Sequence, residues 1–170
     1  MALLQTLHDV YQRHATDVYR FSLFLCGNPS EAEDITSEAF VRLWTAPGPI
    51  RLATVKAYLF TIARHLYIDR CRAASRLVEL DPALPSPGPS AEDRAAAQSD
   101  VARVRRAIKG LPEVDRTALL MRAAGISYDD IARALGMSVG AIRVRVHRAR
   151  KQLMANPAAA CPGSPQETAS

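Results

Sequence analysis

The sequence predicts an all-α fold: two small helical domains joined by a Pro-rich linker, the second containing a helix-turn-helix. Three observations lead there. Apolar residues recur at spacings of three and four through every long segment, and no stretch alternates as a strand would. Gly and Pro clusters cut the chain into helix-sized pieces. Residues 77–99 lose all periodicity, and Pro82, Pro85, Pro87 and Pro89 stand there among small and acidic residues.

In the first helix, about 3–25, Leu3, Leu7, Val10, Val18, Phe21 and Leu25 share a face, with His14 as a break. Gly27 suits its C-terminal cap, and Pro29 suits the first turn of the next helix. Asn28 or Ser30 can cap that helix, and Ser30 with Glu33 has the form of a capping box. It runs to about Trp44, where Ala46-Pro47-Gly48-Pro49 stops it. The third helix spans about Ala53–Arg72, with Val55, Tyr58, Leu59, Ile62 and Leu66 on one face. After the linker, a fourth begins near Ser99 and breaks at Gly110-Leu111-Pro112. Glu113–Ala124 follows, then a capping box at Ser127–Asp130 ahead of Ile131–Leu135. Gly136-Met137-Ser138 turns the chain into a long last helix, Val139 to about Met154. The Ala/Pro/Ser tail from Asn156 reads as disordered. The domains expected are therefore 1–76 and 100–155, with a flexible acidic linker at 77–99 and a tail at 156–170. About 20 extended linker residues could reach on the order of 65 Å.

The chain has 170 residues, 48% hydrophobic and 23% charged, an ordinary globular composition. Three cysteines are too few for a disulfide scaffold, and Cys161 lies in the tail. No apolar run approaches the roughly 20 residues of a membrane span. No basic segment precedes an apolar one at the N-terminus, so a cytoplasmic protein is expected. The net charge of +5 is uneven: residues 1–79 carry +1, 80–99 carry −2 and 100–155 carry +7. Arg143, Arg145, Arg148, Arg150 and Lys151 fall within ten residues that hold no acid. Such a block points to a polyanion.

The segment SYDDIARALGMSVGAIRVRVHRAR explains the block. Ala132 is small where two helices must cross, and Gly136 falls where a left-handed residue lets the chain leave the first. Ile131, Leu135, Met137 and Ile142 supply buried contacts. This is the spacing of a helix-turn-helix, whose second helix enters the major groove. Val139, Ile142, Val146, Ala149 and Leu153 form that helix's inward stripe, while Arg143, His147 and Arg150 share another face, flanked by Arg145 and Arg148. Arginine forks onto guanine edges or grips phosphates. A solvated basic face on a bundle is the bland alternative; the cap, small residue and glycine turn together favour DNA.

The whole chain from about residue 10 to 155 closely resembles an extracytoplasmic-function sigma factor, a compact two-domain bacterial transcription initiation factor. The resemblance is carried by YRFSLFLCGNPSEAEDITSEAFVRLW, KAYLFTIARHLYIDRCR and LPEVDRTALLMRAAGISYDDIARALGMSVGAIRVRVHRARKQL, in that order. It implies that the C-terminal domain reads the minus-thirty-five promoter element as duplex, through Ser138, Val139, Arg143, Val144, His147, Arg148 and Arg150. It implies that the N-terminal domain reads the minus-ten element as separated strand and helps to melt it. The resemblance places a base-capturing loop at Thr45–Thr54 and strand contacts at Arg51, Lys56, Tyr58, Arg64, His65 and Arg70. Tyr58, Phe60 and Tyr67 are available for packing or stacking, and by periodicity alone Tyr58 belongs to the core. The second helix would meet the clamp helices of the largest subunit of core RNA polymerase through Asp34 and Glu38, with Phe40 or Leu43 as apolar contacts. Acids early in that helix also favour its dipole. The linker would enter the polymerase channels, and the C-terminal domain would meet the flap. An anti-sigma factor is an implied partner, and a monomer the implied state. Val144 stands where many relatives have a small polar residue, and His65 where they usually have Asn. The loop at Pro47–Pro49 is short. These departures bear on promoter sequence.

No enzyme, metal or cofactor is expected. There is no phosphate-binding loop, metalloprotease helix or nucleophile elbow. Cys26, His65 and Cys71 are spaced by 39 and 6 residues, unlike structural zinc ligands. Cys26 reads as a buried structural thiol and Cys71 as partly exposed. His8 and His14 are expected on the surface or in packing. Two rivals remain: a regulator sharing only the helix-turn-helix, and a helical adaptor docking its basic helix on an acidic protein.

Overall fold

The computed structural model describes residues 2–83 and 99–156, with side chains from residue 6 onward. These residues form seven helices and no strand: α1 Ala2–Cys26, α2 Pro29–Thr45, α3 Val55–Leu80, α4 Asp100–Lys109, α5 Glu113–Ala123, α6 Tyr128–Leu135 and α7 Val139–Ala155.

Helices α1, α2 and α3 pack into one unit. The α1 stripe holds at Val10, Val18, Phe21 and Leu25, all buried. Phe21 stacks on Phe60 of α3, ring centroids 4.4 Å apart, and Phe40 of α2 takes the edge of Tyr11 at 4.9 Å. Gly27 has φ 74° and leads into α2, whose cap is Asn28: its side chain accepts from the Glu31 N–H at 3.1 Å. Ser30, the other capping candidate, lies inside the helix.

The third helix departs from expectation. It continues eight residues past Arg72 to Leu80, so the N-terminal part of the expected linker is helical. Residues 71–80 contain no Gly or Pro and are good helix formers, and Pro82 follows the end. The apolar stripe is what ends early. Leu66 is the last fully buried residue of α3, and every side chain from Cys71 to Leu80 is exposed. The rest of the expected linker, 84–98, and the tail beyond Asn156 lie outside the described residues.

Helices α4 to α7 form the second unit around Ile108, Met121, Ile131, Ile142, Val146 and Ala149. Ser99 caps α4, accepting from the Ala102 N–H. The two units do not stand apart. The C-terminal helices pack against α1 and α3, and the buried apolar residues of both units form one connected cluster.

Candidate nucleic-acid interface

The helix-turn-helix is built as its sequence specifies. Ser127 accepts from the Asp130 N–H at 3.1 Å and starts α6. Gly136 takes φ 63°, and the Met137 N–H reaches back to the Ala132 carbonyl at 3.0 Å. Ser138 then caps α7 by accepting from the Ala141 N–H at 3.2 Å. Ile142, Val146 and Ala149 are buried, which turns Arg143, Val144, His147, Arg148 and Arg150 to solvent on one helix. Ser138 is exposed at its start, and Val139 is half-buried against the core.

Arg145 does a different job. Its guanidinium lies 2.6 Å from the carboxylate of Asp115, which is 1% exposed on α5. Tyr128 also serves the basic face. The guanidinium of Arg122 lies 4.7 Å from its ring centroid and that of Arg143 5.4 Å. Neither partnership was legible in the sequence, because neither has a local spacing. The acid at 115 and the aromatic at 128 were the available hints.

In the N-terminal unit, the loop between α2 and α3 borders a pocket of about 220 Å³. Pro47, Pro49, Arg51, Val55 and Tyr58 line it. Tyr58, which periodicity assigned to the core, is 45% exposed there. Phe60 is buried instead, and Tyr67 is half-buried where α3 meets the second unit.

The remaining residues of the strand set have different surroundings. His65 is exposed. Arg70 pairs with Glu38 of α2 at 3.6 Å. Lys56 and Arg64 face the second unit. Lys56 donates to the Ala124 carbonyl at 2.6 Å and pairs with Asp17 at 2.7 Å. Arg64 grips Glu113 with two hydrogen bonds, Nε to Oε1 at 2.7 Å and Nη2 to Oε2 at 2.8 Å. Burial pushes the Glu113 carboxyl up, but hydrogen bonds from Arg64 and Thr117 and the nearby guanidinium charge outweigh it, and its pKa lies below the ordinary value.

On α2, Asp34 is exposed, and Glu38 also pairs with Arg42 at 2.7 Å. Phe40 and Leu43, expected as apolar surface contacts, are 1% and 3% exposed and belong to the core. Their spacing faces them inward with Ile35 and Ala39, while Val41 and Trp44 are the exposed apolar groups of that helix. Cys26 is half-buried rather than fully buried, and Cys71 is exposed. Among the described residues no cluster of His, Cys, Asp or Glu has the form of a metal site, and no helix is long and apolar enough to cross a membrane.

Two all-α units, the second a helix-turn-helix ending in an exposed basic helix, are the arrangement found in the sigma-70 class. Residues 10–77 match the model of Sigma-70 region 2, and residues 102–153 match that of Sigma-70, region 4. The chain belongs to the extracytoplasmic-function sigma factors. It is 32% identical to the ECF RNA polymerase sigma factor EcfG of Rhodopseudomonas palustris over 161 residues, covering 91% of this chain and 87% of the relative. It is 31% identical to SigL of Mycobacterium tuberculosis over 158 residues, covering 89% of this chain and 87% of that one. It is also 30% identical to SigE of Mycolicibacterium smegmatis; the match takes in 89% of this chain but only 62% of that longer relative. The fold resembles the sigma factor RpoE of Bartonella quintana, solved with the anti-sigma factor NepR, at a TM-score of 0.69 and 24% identity, covering 87% of this chain and 94% of that one.

Proposed function

We propose that this chain joins core RNA polymerase in the bacterial cytoplasm, brings it to promoters with two recognised elements and helps to open one of them. The observation that carries this reading is the exposed face of α7, set at a fixed angle by the Gly136 turn and the Ser138 cap. Arg143, His147, Arg148 and Arg150 contact the duplex minus-thirty-five element there, with Ser138 and Val139 at the leading end. Val144 offers a methyl surface to thymine rather than a hydrogen bond. Arg145 is withheld from this set because it is spent on Asp115.

The pocket at the α2–α3 loop takes an unstacked base of the minus-ten strand, with Tyr58 as a stacking surface and Arg51 beside the backbone. His65 and Arg70 extend that surface along α3, and Lys56 and Arg64 join it when the C-terminal unit is away. Asp34 and Glu38 meet the polymerase clamp helices. Val41 and Trp44 take the apolar part that Phe40 and Leu43 cannot supply from the core. The C-terminal unit meets the flap, residues 81–99 link the two modules, and the protein acts as a monomer without catalytic chemistry. An anti-sigma factor controls it, as the complex of the Bartonella relative illustrates for that protein.

Run-off transcription with purified bacterial core polymerase and a pool of upstream genomic fragments tests the reading. Specific transcripts that require the protein are expected, and their start sites locate both elements. Specific duplex binding without core binding would instead indicate a regulator, and no DNA binding in either form would indicate an adaptor.

A further inference from the structure

We infer that the cleft between the far half of α3 and α5 is a binding site for a small phosphorylated ligand. Past Leu66, α3 carries no further fully buried residue, yet it still borders α5 across an open cleft at the seam between the two units. Tyr67 and Cys71 stand one turn apart in one row of the helix, and Arg72 and Arg76 in the row beside it. Together with Glu113 and Arg116 of α5 they line a cavity of about 420 Å³. That volume suits a small molecule and is too small for a folded partner.

The charges in the cleft do not balance. Three guanidinium groups meet one carboxylate, and that carboxylate is already taken. Glu113 accepts two hydrogen bonds from Arg64 and one from the Thr117 hydroxyl at 2.8 Å. Arg116 is only 6% exposed, yet among the described residues it has no carboxylate within ion-pairing distance, and its Nε has no hydrogen-bond partner. Its other two nitrogens make long bonds, 3.3 Å to the Lys109 carbonyl and 3.5 Å to the Tyr67 hydroxyl. A cation so deeply buried is ordinarily paired with an anion. Arg72 and Arg76 are exposed and make no ion pair among the described residues either.

An oxyanion set among these three groups supplies the missing charge. Guanidinium meets phosphate through parallel N–H bonds, and its weak hydration makes it easy to strip of water. A phosphoryl or diphosphoryl group carries more than one negative charge, so it matches three cations better than a single carboxylate does. Tyr67 and Cys71 leave an uncharged wall beside the arginines for the rest of the ligand. The site uses neither DNA nor polymerase, and the basic face of α7 is not part of it.

Calorimetric titration of the full-length chain with sodium pyrophosphate tests the site, in magnesium-free buffer against sodium chloride of matched ionic strength. Saturable binding to one site is expected. The exposed double variant Arg72→Gln with Arg76→Gln is expected to weaken it about tenfold, and so is Arg116→Gln if circular dichroism shows it folded. Pyrophosphate is also expected to slow iodoacetamide labelling of Cys71 and to leave that of Cys26 unchanged, read peptide by peptide by mass spectrometry. ADP binding more tightly than pyrophosphate assigns the site to nucleotides, and equal binding assigns it to the phosphoryl group alone; both results sustain it. No saturable binding up to about 1 mM pyrophosphate overturns the site. So does binding that is indifferent to the folded Arg72/Arg76 variant, or binding that is lost with Arg148→Gln on α7 instead.

Discussion

Arg143 and Arg145 stand two residues apart on α7, and their surroundings divide them. Arg143 is exposed beside the Tyr128 ring, whereas Arg145 is anchored on a carboxylate that water does not reach. The consequences of losing each differ in kind. Arg145→Ala leaves Asp115 buried without its cation, while Asp115→Asn leaves a guanidinium that is 32% exposed and can be hydrated. Both variants are expected to unfold at lower urea, with Arg145→Ala losing more; a loss of about 1.5–3 kcal/mol is in scale for a hydrogen bond to a charged group. Tyr128→Leu removes the ring that both Arg122 and Arg143 contact, each contact worth about 0.5–1 kcal/mol at an exposed site. Arg143 is then no longer held in place, and duplex affinity is expected to weaken by at most about two- to fivefold, with specificity loosened where Arg143 reads, checked by titrating duplex promoter DNA. The basic face itself was legible in the sequence, because buried and exposed positions alternate with helical period. The division of labour within it was not, because Asp115 lies 30 residues away from Arg145.

Helix boundaries were legible where a residue with a specific backbone role marks them. Gly27, Pro29, Ser99, Ser127, Gly136 and Ser138 each sit at an observed cap or turn. The far end of α3 carries no such residue. Its apolar stripe stops near Leu66, but its helix-forming composition runs on to Leu80, and propensity decided where periodicity fell silent. A helix exposed on every side is held by its own backbone hydrogen bonds and little else. Amide hydrogen exchange is therefore expected to be much faster over residues 71–80 than over 55–66, which packs on α1 and α2. Equal protection along the helix would mean that something covers its outer half.

At the scale of the whole molecule, the contact between the N-terminal and C-terminal units was not legible in the sequence. Arg64 and Glu113 are 49 residues apart, and an arginine held by the other unit looks, in sequence, like one waiting for phosphate. The fold class depended on local patterns and could be read; the seam depends on pairing across the chain and could not. The seam has a pH signature. Burial raises the Glu113 pKa, but the hydrogen bonds from Arg64 and Thr117 and the charges of Arg64 and Arg116 hold it below the ordinary value, so the stabilisation from the Arg64 bond is present above that ordinary value and is lost as pH falls through the lowered one. The radius of gyration is accordingly expected to stay constant from pH 7 to 5 and to grow only in more acid solution, if the chain remains folded there by circular dichroism. Expansion near pH 6 would assign the seam to a histidine instead.

The unplanned length of α3 bears on DNA geometry. Nineteen residues, 81–99, join the last residue of α3 to the first of α4. The 20 steps from Leu80 to Asp100 span at most about 72 Å when fully extended, so the start of α4 is confined to a sphere of that radius centred on Leu80. At 3.4 Å per base pair, the radius equals about 21 base pairs of straight B-form duplex. Before the breadth of the units is added, that sphere sets an outer limit on how far apart two DNA sequences can lie and still be held by one molecule.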